Sequence, residues 1–445
     1  MKKMNRIMNR ALALTLGMTF LLTGCGSNGG TTAVTPDQPA PESRSVNLSE
    51  NVSKIDIPET NLATEHSVAL SKSGFQMLNT VIEAENLHNQ NVLISPTSIQ
   101  FALGMTASGS VNGSATQKEL MEALLPGCNA TPADLNAEMA TFAKRMNSSE
   151  NVSWNVANSV WVKTGDTVKL RESFISDVTN YYAAELYSAP FDNSTVKEIN
   201  AWVNKNTKER IPEIIDHLNP DTVIALVNAM AFDGEWKEEL EGEDIKEDIT
   251  FINADGTTKK VTMLSTHEQK AILLNGGIGF IRPYKGDEYS FVAILPDANQ
   301  TAEEYLAGIV SGNSNFAEAY LNADTKRGVN AMIPEFKAEF GANFNNTLKA
   351  MGVKEAYTST AGFKEMVTDD STGVLIGDVI HKTMIKVDRQ GTEAAAATIV
   401  LMDKAAAVME EEPPYSVILN RPFVYGIVDN TTGVPIFLGI QNTMN

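Results

Sequence analysis

The chain is poor in cysteine and histidine. Its 445 residues include two cysteines, at positions 25 and 128, and five histidines. So few thiols exclude the disulfide-rich class of small exported domains. The histidines do not have the spacing of a metal site, and we therefore expect no metal ion and no other cofactor. They are His66, His88, His217, His267 and His381.

The sequence also lacks the common catalytic signatures. It has no G-x-S-x-G nucleophile elbow, no phosphate-binding G-x-x-x-x-G-K-[ST] loop and no complete H-E-x-x-H zinc motif. His267 and Glu268 begin the last of these, but Ala271 stands where the second histidine belongs. We therefore expect a protein that is not an enzyme.

Positive charge is scarce. The formal net charge is −20, with 35 Lys and Arg against 55 Asp and Glu. An acidic chain of this kind repels polyanions, so we expect no nucleic-acid partner.

No Pro- or Gly-rich linker divides residues 61–445, which predicts one large domain. Apolar residues recur at helical spacing at Phe75, Leu78 and Ile82, and Thr116 with Glu119 has the pattern of a capping box. Apolar or alternating runs at residues 152–156 and 290–295 indicate strands. The sequence thus predicts the α+β class.

The N-terminus has the features of a secretion signal. Lys2, Lys3, Arg6 and Arg10 precede an apolar run over Ala11–Phe20 that is too short to span a bilayer. We interpret residues 1–24 as a signal peptide, which predicts export from the cytoplasm.

A lipid-attachment site follows this signal. Residues 22–25 (LTGC) resemble the bacterial lipobox, in which the cysteine, here Cys25, carries the lipid. Residues 25–60 are rich in Gly, Ser, Thr, Pro and acidic residues, as in a disordered tether. We expect a lipoprotein of the bacterial cell envelope that contacts the membrane through Cys25. The alternative is an ordinary signal peptide and a secreted protein. With Cys25 lipidated, Cys128 has no disulfide partner.

The segment between two strand-like runs near the C-terminus is the most informative. Residues 383–387 have strand chemistry, and Gly391 then supplies backbone freedom. Small residues follow, so either an Ala-rich helix or a strand with one small, apolar face fits the pattern. The segment reads Gly391, Thr392, Glu393, Ala394, Ala395, Ala396, Ala397, Thr398.

Motifs along the rest of the domain resemble those of the serpin family, in the family's order. Residues 91–99 (NVLISPTSI) are similar to its N-x-x-x-S-P-x-S-I motif, where Ser95 is a helix N-cap and Pro96 the first helical residue. Residues 226–236 (LVNAMAFDGEW) are similar to L-V-N-A-x-x-F-x-G-x-W. Further matches lie at 158–162, 199–207, 283–296, 420–423 and 437–439. The chain is thus identified as a member of that family.

This resemblance implies a serpin fold, with helices packed around a large central mixed β-sheet, further sheets and a mobile reactive-centre loop. Residues 391–398 resemble the proximal hinge of that loop. The resemblance also implies a suicide-type inhibitor. A target serine or cysteine protease cleaves the loop and forms an acyl-enzyme, and the loop then inserts into the central sheet.

Further residues match positions that control this insertion in the family. His381, Asn228, Ser95 and Ser98 match its shutter, behind the centre of the sheet, where the histidine bonds the asparagine. The alternative for His381 is an exposed residue at a strand end. Trp236 matches the breach, where the loop first enters.

The breach also contains a departure from the family. Serpins usually have a Glu two residues before the hinge glycine, paired with a Lys on a neighbouring strand. Here these positions hold Arg389 and Glu335. Both signs are reversed, which predicts a charge-swapped salt bridge; the alternative is two unrelated surface charges.

The family's usual hinge length, counted from Gly391, places the scissile bond between Ala405 and Ala406. A small residue there suits an elastase-like or subtilisin-like protease. Lys404 gives a trypsin-like alternative, and Met402 is a weaker candidate. A non-inhibitory serpin and a solute-binding lipoprotein are the alternative functions, and we expect a monomer.

Overall fold

The structure is a computed structural model that describes residues 43–165, 168–219, 222–312, 314–369, 373–392 and 412–444. Within these ranges it contains nine α-helices, two 3₁₀ turns at Gly242–Asp244 and Glu355–Tyr357, and three β-sheets. The helices are α1 (Thr64–Ala84), α2 (Pro96–Ser108), α3 (Ala115–Leu124), α4 (Pro132–Ser148), α5 (Glu172–Tyr181), α6 (Asn193–Asn206), α7 (Ala302–Ser311), α8 (Phe316–Leu321) and α9 (Asn345–Ala350).

The strands are numbered in chain order. The central sheet has seven strands, in the spatial order β1 (Val46–Asn47), β4 (Glu185–Ala189), β3 (Val152–Lys163), β5 (Ile224–Glu235), β14 (Gly391–Thr392), β13 (Asp378–Val387) and β12 (Phe336–Asn343). It is mixed, because β5 and β13 run parallel whereas β5 and β3 run antiparallel.

The two other sheets are smaller. The six-stranded sheet has the order β2 (Val92–Ile94), β17 (Pro435–Gln441), β16 (Phe423–Asp429), β10 (Tyr289–Pro296), β9 (Gly277–Pro283) and β8 (Ala271–Leu274). The four-stranded sheet has the order β15 (Tyr415–Ile418), β11 (Val329–Pro334), β7 (Thr258–Glu268) and β6 (Ile245–Ile252). The α+β serpin-type architecture expected from the sequence is confirmed.

Strand β5 is buried on both faces, which explains its apolar sequence. One face of the central sheet packs on the main core, which includes α2 and the six-stranded sheet. The other face is covered by α6, whose Ile199 and Val203 pack with Trp161 and Ala225 in a second apolar cluster. The sheet is therefore the middle layer of the domain.

Helix α2 begins as predicted. Ser95 is its N-cap, with a side chain that accepts a hydrogen bond from the Ser98 amide, and Pro96 is its first residue. The start of α3 differs from the prediction. Ser114 is the cap, and the Glu119 carboxylate instead accepts hydrogen bonds from the amides of Lys354 and Glu355, both at 2.7 Å. A tertiary contact has replaced the expected local one.

The domain starts earlier than residue 61. Residues 43–60 belong to the same compact unit as the rest of the described chain. Strand β1 is the edge strand of the central sheet and pairs with β4, and the amide of Ser45 donates to the Glu198 carboxylate at 3.0 Å. Strand β1 thus lies within residues 25–60, the range that we expected to form the tether. Residues 1–42, with the expected signal peptide and Cys25, lie outside the described residues.

Candidate functional site

The hinge segment begins as a strand inside the central sheet. Strand β14 lies between β5 and β13: Gly391 pairs with Glu235, and Thr392 pairs with Gly234 on one side and with Val387 on the other. Beyond this point β5 and β13 pair directly with each other, from Met384 with Ala231 onward. The first two hinge residues therefore occupy the position of an added strand at one end of the sheet.

Gly391 is required by a close backbone contact. Its φ is 151°, a conformation that L side chains rarely adopt, and a Cβ at this position would lie 2.1 Å from the carbonyl oxygen of Gly234. A tight turn leads into it, in which the amide of Asp388 donates to the carbonyl of Gly391 at 2.9 Å.

Thr392 is held by a tyrosine, Tyr284, which lies in the family-like segment 283–296 and to which we had assigned no role. The hydroxyl of Tyr284 lies 2.6 Å from the hydroxyl of Thr392, and both residues are fully buried. Burial raises the pKa of the Tyr284 phenol, so the group is neutral and can donate or accept this hydrogen bond.

Trp236 anchors the turn that precedes the hinge. Its indole N–H donates to the carbonyl of Asp388 at 2.8 Å, and its backbone amide donates to the carbonyl of Gln390 at 3.1 Å. The indole stacks on the Tyr284 ring, with centroids 4.8 Å apart and an interplanar angle of 9°. Trp236 thus contacts the backbone of the turn that leads into β14.

Arg389 and Glu335 form the predicted charge-swapped pair. The Nε of Arg389 donates to Oε1 of Glu335 at 3.1 Å, and an Nη donates to Oε2 at 3.4 Å. The backbone amide of Arg389 adds a third hydrogen bond at 3.3 Å. The two hydrogen bonds from the guanidinium to the carboxylate connect the turn after β13 to the residue before β12.

Three polar residues form a row across the middle of the central sheet. Asn158 of β3 pairs in register with Asn228 of β5, which pairs with His381 of β13. The Asn228 amide donates to Asn158 Oδ1 at 3.0 Å. The structure therefore brings His381 and Asn228 together and adds Asn158, which we had not assigned to this group.

The expected hydrogen bond between His381 and Asn228 is not formed. Instead, Nε2 of His381 accepts from the backbone amide of Ser95 at 3.0 Å. In the part of the chain that the structure describes, His381 Nδ1 and Asn228 Oδ1 are buried without a partner. Ser95 is the N-cap of α2, so its backbone N–H has no acceptor within the helix. This N–H is therefore available to donate to His381 Nε2.

Ser95 and Ser98 also lie at this row. The hydroxyl of Ser95 is 3.2 Å from Met230 Sδ, and the hydroxyl of Ser98 is 3.5 Å from Asn158 Oδ1. His381 is 1% exposed, which excludes the alternative of an exposed residue at a strand end. Burial lowers the pKa of His381 to about 3, so its imidazole is neutral at physiological pH.

Several predicted residues lie outside the described part of the chain. They are Glu393, Ala394, Ala395, Ala396, Ala397, Thr398, Lys404, Ala405 and Ala406, together with Cys25.

Among the described residues, no group of three or more His, Cys, Asp or Glu side chains is placed to hold a metal ion. In the same ranges, no helix has the length and apolarity needed to cross a membrane.

Nine helices of the described ranges pack around three sheets, and the largest of these sheets is mixed and has seven strands, the two-residue strand β14 among them. The family model of serpins, described as serine protease inhibitors, matches residues 69–443. The chain belongs to the serpin family, a family of protease inhibitors.

Relatives from distant organisms match most of the domain. The chain is 27% identical over 367 residues to Serpin-ZX of Arabidopsis thaliana, covering 79% of this chain and 91% of the relative. It is 26% identical over 389 residues to glia-derived nexin of Homo sapiens, covering 84% and 92%. The native-state structure of tengpin, a thermophilic serpin, is similar with a TM-score of 0.80 and 33% identity, covering 90% of this chain and 100% of that one.

Proposed function

We propose that this serpin is a suicide inhibitor of a serine protease, with cysteine proteases as a second target class. The observation that carries the proposal is the seat of Gly391 and Thr392 between β5 and β13. The hinge is already registered with both strands that would flank the inserted loop, so insertion only has to extend β14.

Insertion exchanges one ladder of hydrogen bonds for two. Strands β5 and β13 pair in parallel from Asp378 with Ala225 to Met384 with Ala231, and this ladder breaks as the new strand enters. The new strand pairs antiparallel with both neighbours, as β14 does. At about 1 kcal/mol net per hydrogen bond, the additional ladder favours the inserted state by several kcal/mol.

The side chains of the hinge suit this path. Thr392 faces the buried side of the sheet, and the period of two places Ala394, Ala396 and Thr398 on the same side of an extended β14. These residues are small, and Glu393 falls on the opposite face. A non-inhibitory serpin, whose loop is cut without inserting, does not require this pattern.

The chemistry begins as ordinary proteolysis. The protease hydroxyl or thiol attacks the carbonyl carbon of the residue before the scissile bond and expels the amine of the next residue, which leaves an acyl-enzyme. Water normally completes the reaction. Insertion drags the attached protease and distorts its active site, and loss of one oxyanion-hole donor slows such chemistry by about 10²–10³. The acyl-enzyme then persists.

We propose roles for the two groups of sheet residues. The row of Asn158, Asn228 and His381 holds β3, β5 and β13 in register and has to rearrange when β5 and β13 part. Trp236 and the ion pair of Arg389 with Glu335 hold the hinge entrance.

The scissile bond is proposed between Ala405 and Ala406, for an elastase-like or subtilisin-like protease, with Lys404 as the trypsin-like alternative.

A protease panel tests inhibition. Pancreatic elastase, subtilisin and trypsin are each incubated with the full chain, and an SDS-resistant complex is expected with one of the first two. Mass spectrometry of the released C-terminal peptide then locates the bond. Cleavage without a complex by every protease contradicts the proposal and favours the non-inhibitory alternative.

A matched pair of variants tests the direction of insertion. Ala396→Arg places a charge on the proposed buried face and should convert the inhibitor into a substrate, whereas Ala395→Arg should keep the complex. Equal effects of both substitutions contradict the proposed register.

We also propose that the chain is exported and attached to the cell envelope by lipid on Cys25. The signal-like residues 1–24 and the lipobox-like residues 22–25 support this. Cell fractionation should find the parent chain with membranes and the Cys25→Ala variant in the soluble fraction. Equal distribution of both would contradict the lipid anchor.

A further inference from the structure

One arginine holds the residues that follow the segment 393–411, in which the proposed scissile bond lies. Arg327 stands two residues before β11, and its guanidinium contacts three of these residues. An Nη is 3.1 Å from Oε2 of Glu412, and Nε donates to the carbonyl of Pro413 at 3.0 Å. The guanidinium carbon lies 4.0 Å from the centroid of the Tyr415 ring. We call Arg327, Glu412, Pro413 and Tyr415 the distal clamp.

The contacts of the distal clamp differ in strength. The side chain of Glu412 is 74% exposed, and an ion pair so exposed contributes little. Arg327 is only 28% exposed, so its hydrogen bond to Pro413 and its contact with the Tyr415 ring are better shielded from water. A planar guanidinium can donate to a carbonyl and cover an aromatic face at the same time, whereas a lysine ammonium has no such fork.

The distal clamp acts on a weakly held strand. Tyr415 begins β15, which has four residues, lies at the edge of the four-stranded sheet and pairs there with β11 alone. The amide of Tyr415 donates to the carbonyl of Gly328 at 3.0 Å, and its hydroxyl donates to Asp324 at 3.2 Å. A short edge strand with few ladder hydrogen bonds opens easily, so the contacts of Arg327 at its first residue matter for its attachment.

The four-stranded sheet adjoins the hinge end of the central sheet. Strand β11 ends at Pro334, and β12 of the central sheet begins at Phe336. Phe336 pairs with Val387, which also pairs with Thr392. The segment 393–411 therefore leaves one sheet and joins the other at the same end of the domain.

This arrangement leaves an uncut segment little slack for insertion. Counted from the pair of Thr392 with Gly234, the ninth further position lies opposite Ala225, at the far end of the ladder of β5 with β13. These nine positions extend over about 31 Å. The eleven residues from there to Glu412 reach at most about 38 Å when fully extended. Complete entry of the uncut segment would therefore pull on the distal clamp.

We propose that Arg327 is a positioning residue: it holds the distal end of the segment on β11 and so keeps the uncut segment out of the central sheet. The second half of this inference rests on the proposed function, because it assumes that the segment can insert. Cleavage after Ala405 separates the hinge side of the segment from the distal clamp, which then retains only the C-terminal fragment.

Hydrogen exchange followed by mass spectrometry tests the attachment. In Arg327→Ala the amides of residues 412–419 should exchange about fivefold faster, the effect of one lost hydrogen bond. Arg327→Lys should be intermediate because it keeps only the charge. Lys326→Ala removes the same charge from the adjacent exposed position and should exchange like the parent. Parent-like exchange in Arg327→Ala, an equal effect of Lys326→Ala, or equally faster exchange in β3 overturns the proposal.

A second measurement tests the effect on insertion. The uncut variants are incubated at 37 °C without protease, and a short pulse of subtilisin then measures the fraction of molecules whose segment 393–411 can still be cleaved. This fraction should fall about fivefold faster in Arg327→Ala than in the parent and in Lys326→Ala. Equal rates in all three overturn the role in insertion. Neither measurement uses a covalent complex, so a parent chain that traps no protease would contradict the proposed function and leave both results decisive for Arg327.

Discussion

The hydroxyl of Tyr284 in the turn after β9 lies 2.6 Å from the hydroxyl of Thr392, the second residue of the hinge. This bond connects residues 108 positions apart in the sequence. It joins the second hinge residue to the core on one side of the central sheet, so the position of Thr392 depends on the packing of the Tyr284 ring against Trp236.

Loss of this bond should destabilise the uncleaved protein. Tyr284→Phe and Thr392→Val each leave a buried hydroxyl unpaired, and each should lower the free energy of unfolding by about 1–3 kcal/mol. The double variant should lose less than the sum of the two, because the second substitution removes the orphaned group. Urea unfolding measures all three.

Tyr425→Phe is the control for these variants. Tyr425 is fully buried, and its hydroxyl has no partner among the described residues. Its removal should leave stability unchanged or raise it. Strict additivity of Tyr284→Phe and Thr392→Val would contradict a direct bond.

The ion pair of Arg389 with Glu335 predicts a charge-reversal rescue. Glu335→Lys and Arg389→Glu each place like charges at the hinge entrance, whereas the double reversal restores the pair. Since the two side chains are 49% and 24% exposed, each single change should cost only about 0–1 kcal/mol.

The rate of limited proteolysis near the hinge, measured at low salt, is a sensitive measure of this effect. Salt at 0.5 M should reduce the differences in cleavage rate between the variants, because it screens exposed charges. Lys337→Glu, on the neighbouring exposed side chain of β12, serves as a control for net charge. Cleavage rates that follow net charge rather than pairing would exclude the salt bridge.

A side chain at position 391 should unseat the hinge. Gly391→Ala would put a Cβ 2.1 Å from the carbonyl oxygen of Gly234, in addition to the backbone strain of its positive φ, which costs about 1–3 kcal/mol. Gly352 also has a positive φ, 103°, but a Cβ there meets nothing within 4 Å. Thermal unfolding should therefore show a greater loss for Gly391→Ala than for Gly352→Ala. Equal losses of thermal stability would mean that backbone strain alone explains why position 391 is a glycine.

His381 predicts an acid sensitivity of the native sheet. Burial lowers the pKa of His381 from 6.5 to about 3 in the folded state. Between these values the unfolded chain binds a proton that the folded chain does not, so this contribution to stability is full above about pH 6.5 and is lost as the pH falls towards 3.

His381→Gln keeps a hydrogen-bond acceptor for Ser95 but cannot titrate. Denaturant unfolding between pH 4.5 and 7.5 should therefore show a shallower pH dependence for this variant. His217 is exposed, and His217→Gln should retain the parent slope. An unchanged slope in His381→Gln would show that the histidine does not set the acid sensitivity.

The local parts of the fold were predictable from the sequence. Ser95 and Pro96 start α2 as predicted because capping depends only on residues a few positions apart. The predicted capping box of Thr116 with Glu119 was wrong because a long-range contact replaced the local one. The Glu119 carboxylate accepts from the amides of residues 354 and 355, more than 200 positions away.

The charge-swapped pair was predictable because two simultaneous sign reversals at matching family positions suggest compensation. The partner of His381 was not predictable. It depends on how closely α2 approaches the sheet, and the amide of Ser95 carries no sequence signal.

The sequence by itself determined the α+β class, the family, the strand chemistry before the hinge, the small residues within it and the glycine that precedes them. These features depend on local propensity and on the order of motifs. Only the tertiary structure decided that Gly391 and Thr392 form a strand and that Tyr284 and Trp236 hold it. Such contacts join residues that are distant in sequence, and their existence depends on the packing of whole sheets against one another.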